Sequence, residues 1–408
     1  MPTLSLPKSS SASLRLRDPR LLVLLAAGSL TTMAGGVVAP ILPEMVEQLQ
    51  LKPGLAANLV TMHCLTIALF SPPLGILADR VGRLRVLLWS LLLYALCGTA
   101  GAWMQSFWPL LVSRGLLGAA SGGIAAAGLG LLGSMYEGQA RSQALGYATS
   151  TLTITGIIFP LLGGWVGATH WQFAFYLYGL GLPLALLAKL ILKEKHRKQK
   201  RAKAVEPGQK LSQVLGHHQS LWLLLTLGLA SISMYAVVIY APLYLKATIG
   251  AGAMLNGIVL ASRAVGAAVV SALGARRLSK KLGLSKATAV GFGLMALTLG
   301  MIPFQIQLHW ILVTAVLFGV GFGIVLPNLY SALANLAPSK LRSSVLAAGT
   351  GAGFLGQFLS PILLGPVLGY GGLEGVFYAA ASVSFIAGVL LLLLSRSLKL
   401  LNSNPPEA

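Results

Sequence analysis

Runs of about 20 apolar residues recur along this 408-residue chain, and nearly all of its charge lies between them. A helix of that length crosses the hydrocarbon core of a bilayer, where no water is present to satisfy an exposed backbone. Twelve spans are predicted, at 20–43, 55–77, 84–104, 107–133, 142–166, 172–192, 219–245, 253–275, 286–305, 309–334, 343–367 and 373–396. Only 10% of residues are charged, against about 25% in soluble domains. A water-soluble enzyme, a disordered chain and a disulfide scaffold are thereby excluded. Cys64 and Cys97 fall inside apolar runs and read as small buried hydrophobes. The predicted fold class is an all-α polytopic membrane protein.

The positions of the 30 Lys and Arg residues set an orientation, because basic residues are retained on the cytoplasmic side. One set of loops, with both tails and the segment from Lys189 to Lys210, holds 26 of them; the opposite loops hold only Lys52 and Lys246. Arg114 and Arg263 lie inside spans. Cytoplasmic termini follow, in a plasma membrane of the bacterial inner-membrane kind. The first span follows Lys8, Arg15, Arg17 and Arg20 as a signal peptide would, but its apolar run continues to Pro43, as a retained span does. The basic residues do not interleave with exposed aromatics, so nucleic acid is not an expected partner.

The first six spans recur about 200 residues later. Ser29, Ala39 and Pro40 return as Ser231, Ala241 and Pro242 at an offset of 202; Asn58 and Gly75 return as Asn256 and Gly274 at 198 and 199. Trp108 matches Trp310 at 202, and Pro160 and Gly164 match Pro361 and Gly365 at 201. The expected organisation is a tail (1–19), a six-helix half (20–192), a basic linker (193–218), a second half (219–396) and a tail (397–408). Parallel halves related by a pseudo-twofold along the membrane normal are a known transporter plan, with the substrate bound at midplane.

The segment Gly75-Ile-Leu-Ala-Asp79-Arg80-Val-Gly82-Arg83-Leu-Arg85 resembles the signature loop of the major facilitator superfamily, Gly-x-Leu-Ala-Asp-Arg-x-Gly-Arg-Lys. It departs only at Leu84, where Lys is usual. Arg114 with Gly115 and Gly118 resembles the family's arginine-centred span-4 motif. The chain is also similar to the drug/proton antiporter-like bacterial permeases, whose span-5 pattern survives only in part, as Pro160, Gly163 and Gly164. Thr155 and Phe159 occupy the places of two further glycines. The second copy of the signature loop, Gly274 to Gly283, has no acidic residue.

The resemblance implies two six-helix halves that alternate access, with spans 1, 2, 4, 5, 7, 8, 10 and 11 lining the cavity. It further implies a conformational latch at Gly75, Asp79, Arg80, Gly82 and Arg83, and a span-5 gate at Pro160, Gly163 and Gly164. From the residues, glycines at 75 and 82 suit a tight reversal, and Asp79 can pair with Arg83 or cap a neighbouring helix. Stripes of small residues (Gly118, Gly122, Ala126 and Gly130; Gly349 and Gly353) read as close helix contacts. Pro40, Pro160, Pro242, Pro327 and Pro361 soften their spans.

Intramembrane charge normally faces protein or water. Arg263, near midplane, reads as a substrate contact, and Arg114 as either a hydrogen-bond hub or a coupling residue. Tyr235, Tyr240, Asn328 and Gln357 are further polar candidates for the cavity. None of the nine acids lies at midplane, leaving Glu44 and His63 as the candidates for proton coupling, with packing the alternative for His63. Two cavity arginines without a cavity acid favour an anionic or neutral amphipathic substrate.

The predicted function is secondary active transport of a small organic molecule, as an exporter. A proton-coupled multidrug antiporter is the alternative within the class, and a non-transporting sensor or lipid-handling scaffold the alternative outside it. No phosphate-binding loop, cofactor motif or metal-ligand cluster is read from the sequence, which leaves a proton or other ion gradient as the energy source. The expected partners are a small-molecule substrate and membrane lipid, and a monomer is expected.

Overall fold

The computed structural model describes residues 18–192, 211–338 and 341–398. The predictions for residues 1–17, the linker 193–210 and the last ten residues fall outside these. Among the described residues every regular element is helical, and eleven helical stretches are long and apolar enough to cross a bilayer. The last, Arg342–Leu393, carries two crossings: Gly372, at φ 62° and ψ −165°, breaks the helix between spans 11 and 12. The twelve predicted spans are thus all present.

The internal repeat extends to the ends of the elements. Arg83–Ala100 and Leu284–Met301 each have 18 residues and each run into a three-residue 3₁₀ turn, Gly101–Trp103 and Ile302–Phe304. The helices that follow, Phe107–Met135 and Leu308–Leu336, each have 29 residues. All these starts differ by 201 (284 − 83, 302 − 101, 308 − 107).

Each copy reverses before its third span on a single glycine in the positive-φ region, Gly82 at 111° and Gly283 at 81°. Gly75, expected to share in that turn, is instead helical within Pro53–Val81 and lies beside Ala126 of span 4. Its missing Cβ serves packing, so the reversal rests on Gly82 alone. In the second copy span 8 stops at Leu273, and an eight-residue amphipathic helix, Ala275–Leu282, carries Arg276, Arg277, Lys280 and Lys281 along this face. The face bearing these residues with Arg80, Arg83 and Arg85 is called the basic side below, and its opposite the far side.

Span 1 runs from Pro19 to Gly36, with Asp18 accepting from the Arg20 N–H at 3.0 Å. It bends at the 3₁₀ turn Ala39–Ile41, because Pro40 lacks an N–H and crowds the preceding turn. A further helix, Leu42–Gln48, extends past the predicted end and brings Glu44 and Glu47 to the far side.

The two halves close on each other at the far side. Gly164 of span 5 seats against the Ala253 carbonyl of span 8, and a Cβ at Gly257 would stand 2.5 Å from the Pro160 carbonyl. Asn256 donates to the Pro40 carbonyl at 3.2 Å, and Lys246 pairs with Glu47 at 3.5 Å. Burial follows the same gradient. Span 5 is buried at Phe159, Pro160, Gly163 and Gly164 but largely exposed from Gln139 to Ile154, and span 2 is buried to Ile67 and exposed from Leu69 to Leu77 apart from half-covered positions. The bundle is therefore sealed toward the far side and splayed toward the basic side.

Candidate functional site

Just beyond the seal a band of polar side chains crosses the bundle. Arg114, 1% exposed, reaches from span 4 into the interior of the first half. Its Nε donates to the Leu59 carbonyl at 3.0 Å and its Nη1 to the Tyr178 hydroxyl at 2.9 Å. Its Nη2 donates to the Ala34 carbonyl and lies 3.4 Å from His63 Nδ1. A guanidinium can only donate, so His63 Nδ1 accepts and the ring proton sits on Nε2, 3.3 Å from Cys64 Sγ. The Cys64 thiol in turn donates to Gln357 Oε1 of span 11 at 3.1 Å and lies 3.4 Å from the Tyr235 hydroxyl of span 7. Gly35 makes room for this: a Cβ there would stand 3.0 Å from His63 Cε1 and 3.3 Å from the Tyr235 hydroxyl. The chain Arg114–His63–Cys64–Gln357 thus links one half to the other, from a charged guanidinium through a neutral ring and a thiol to an amide.

Arg263, on span 8, is built differently. It is 8% exposed, its Nε is buried without a hydrogen-bond partner, and no acidic side chain pairs with it among the described residues. Tyr235 is within electrostatic reach of both arginines. Span 8 is pinned here by glycines of span 10, since Gly319 lies against the Arg263 carbonyl. Of the two arginines expected to line the cavity, only Arg263 keeps free donors. Of the two readings of Arg114, the geometry is that of the hydrogen-bond hub and not of a substrate contact: its guanidinium is filled by carbonyls and a tyrosine.

The sequence model of the Major Facilitator Superfamily matches residues 24–361, and again 264–408. The chain belongs to that superfamily. The Bacillibactin exporter of Bacillus subtilis (strain 168) is 22% identical over 342 residues, covering 81% of this chain and 85% of that protein. A probable 4-methylmuconolactone transporter of Cupriavidus pinatubonensis is 24% identical over 351 residues, covering 82% of this chain and 80% of the relative. A solved bacterial homologue of the human lysosomal transporter Spinster, in an inward-facing and unoccupied conformation, superposes with a TM-score of 0.78 at 16% identity. That superposition covers 95% of this chain and 100% of the other, and its likeness is one of fold. The protein is a multi-pass membrane transporter.

In this transporter the remaining predicted residues divide by place. Asn328 faces away from the band: its Oδ1 accepts from Ser279 of the basic amphipathic helix at 2.7 Å, which ties that helix to the basic-side end of span 10. Its Oδ1 serves that helix rather than the band, while its Nδ2 is buried without a partner among the described residues. Tyr240 is fully buried, with a hydroxyl that has no partner among the described residues. Glu44 stands at the far-side seal, its carboxylate facing the Ala253 N–H at the start of span 8 and near Lys246. Gly163 presses on the Val37 backbone, and a Cβ at Gly36 would stand 3.2 Å from Phe159. Span 1 thus supplies the glycines that span 5 lacks, while Thr155 bonds Thr32 across the same contact at 2.9 Å. On the basic side Arg83 donates to Asp79 at 2.8 Å and to the Gly130 carbonyl of span 4 at 2.6 Å. Asp79 stays 54% exposed, and Arg80 is exposed beside it.

Sequence reasoning missed Cys64 and Tyr178. Cys64 reads as a packing residue because a thiol in an apolar run is usually that. Its adjacency to His63 was the only available signal. Tyr178 stands in span 6, outside the expected lining, and its phenol accepts from Arg114 and donates to the Ala34 carbonyl at 3.1 Å.

Proposed function

We propose that this protein exports an organic anion, or an amphipathic solute that is anionic at one end, from the cytoplasm across a bacterial inner membrane. The observation that supports this reading is Arg263: a buried cation without a partner costs several kcal/mol unless something anionic compensates it. A planar guanidinium with unused donors fits a carboxylate in bidentate geometry. The basic side is then cytoplasmic, by the retention of Lys and Arg there, and the splayed conformation is the one that loads substrate from within. Exporters among the relatives accord with the direction.

Export is driven in this reading by an ion gradient, with Glu44 and His63 as the groups that could carry a proton. Glu44 joins the far-side seal, so loading it with a proton weakens the contact with span 8 and favours opening outward. Asp79 releases Arg83 or carries it along when the basic side closes, and so latches the halves in the opposite state.

The test is flux into inside-out vesicles and proteoliposomes, comparing organic anions with matched neutral and cationic compounds. Arg263→Ala should depress anion transport far more than neutral transport, Arg263→Glu should admit cations, and Arg263→Lys should keep the sign preference with weaker affinity. Unchanged selectivity in all three folded variants would make Arg263 structural and leave the multidrug reading in its place.

A further inference from the structure

The two copies of the signature loop carry their charge in different ways. In the first, Arg83 is held by Asp79 and by the Gly130 carbonyl of span 4. In the second, Arg276, Arg277, Lys280, Lys281 and Lys286 stand in a stretch from Gly274 to Lys286 that has no acidic residue. All five are exposed, and none has a hydrogen bond or ion pair among the described residues. The backbone differs as well. Span 2 runs unbroken to Val81, whereas span 8 ends at Leu273 and the separate helix Ala275–Leu282 follows.

At about 100° per residue, Arg276, Arg277, Lys280 and Lys281 fall on one arc of that helix, within about 8 Å along its axis. Ala275, Leu278, Ser279 and Leu282 fall on the opposite arc. Ala275 is buried and Leu278 and Ser279 are half-buried, in a helix that packs on spans 9 and 10. The surface around it is apolar and faces the bilayer, with Leu273, Leu282, Val290 and Leu297 all exposed. The basic arc therefore lies where spans 8 and 9 leave the hydrocarbon, at the depth of the lipid headgroups. Retention of positive charge accounts for the composition of this loop, but charges in any arrangement would satisfy it. It does not account for a folded helix that gathers them on one face and leaves them unpaired.

We infer that the helix Ala275–Leu282 is a binding surface for anionic phospholipid, whose phosphates meet the four cations while the acyl chains run along the exposed side of span 9. Charge and place together select this partner. The bilayer presents phosphodiester anions in the plane of the helix, and their chains cover apolar surface that a soluble anion would leave bare. A cluster of four or more Lys and Arg on an interfacial helix attracts anionic lipid in this way. The surface is also joined to span 10, because Ser279 on the inner arc donates to Asn328 at 2.7 Å. A bound lipid therefore braces the basic-side end of span 10, the helix whose Gly319 lies against the Arg263 carbonyl. This holds whatever solute is transported.

The experiment uses the full-length transporter, delipidated in dodecyl maltoside and titrated with dioleoyl phosphatidylglycerol beside zwitterionic dioleoyl phosphatidylcholine. Native mass spectrometry counts bound lipid, and the melting temperature is followed in parallel. The wild type should retain phosphatidylglycerol over phosphatidylcholine and be stabilised by it. Each cation lost from the arc should lower that preference about fivefold, so Arg276→Gln with Arg277→Gln should lower it about 25-fold, and Lys280→Gln with Lys281→Gln alike. Arg85→Gln with Arg141→Gln removes the same charge from exposed positions of the first half and should change the preference little. Equal losses in the two halves would show a general attraction to the basic face and overturn the helix as a site. Undiminished preference in the helix variants would overturn it too, and should one pair fail to fold, the other decides. Displacement of the lipid by sodium pyrophosphate at equal concentration would make this a site for a soluble phosphate and overturn the lipid assignment. Ser279→Ala, which keeps all four cations, should bind the lipid as wild type does but gain less melting temperature from it. An undiminished gain there would overturn the bracing of span 10 and spare the surface.

Discussion

Arg114 and Arg263 are both buried in the membrane-spanning bundle, and they are opposites. Arg114 is surrounded by the Leu59 and Ala34 carbonyls, the Tyr178 hydroxyl and the His63 ring. Arg263 has a buried Nε with no hydrogen-bond partner among the described residues. The first organises a half of the protein; the second holds an unmet demand for negative charge. Burial alone therefore does not tell the two apart. What separates them is whether their donors are already taken.

The largest expected effect separates the two directly. Arg114→Ala removes the donor that the Leu59 and Ala34 carbonyls, the Tyr178 hydroxyl and the His63 ring share and leaves a hole, so it should cost about 3–5 kcal/mol, read as a large fall in detergent melting temperature or as loss of folded protein. Arg263→Ala should leave the melting temperature unchanged or raise it, because it removes an uncompensated charge. Equal losses in both would end the comparison.

Asp79→Asn should come next, largely abolishing transport with insertion intact, since the carboxylate is exposed and its partner Arg83 is also held by Gly130. Wild-type flux in the inserted variant would remove the latch. Gly164→Val should act on the seal, because any side chain there meets the Ala253 carbonyl. Spin labels at positions 47 and 246 should then report a longer mean separation, and an unchanged distance would place the seal elsewhere.

A smaller change is expected from Gln357→Leu, which removes the acceptor of the Cys64 thiol and weakens the link between halves by about 1 kcal/mol, read as faster labelling of Cys64 by a small thiol reagent. The least should come from Lys246→Gln. That ion pair is exposed and worth about 0–1 kcal/mol, so the far-side seal should persist with only a weakened dependence on salt.

Much of this was legible in the chain. The span count follows from hydropathy, and Gly82 and Gly283 announce their turns because only glycine adopts that backbone freely. Arg263 was recognisable as out of place in an apolar run. Asn328 and Tyr235 were not distinguishable by identity, since each is one polar residue on a long helix; Asn328 turns to Ser279 and Tyr235 to Cys64 of the other half. The part of Gly75 was misjudged because a glycine before a turn and a glycine under a neighbouring helix are written alike.

The sequence by itself determined the number of spans, the duplication and the side that carries the positive charge. Each of these is a sum over neighbouring residues weighed against bilayer or water, and needs no knowledge of what packs where. The tertiary structure decided the rest: which side is sealed and which arginine has its donors taken. Those depend on backbone carbonyls and methyl groups brought from distant spans. A carbonyl is the same in every residue, so only the fold says that Ala34 and Leu59 answer Arg114 while the Arg263 Nε stays without a hydrogen-bond partner among the described residues.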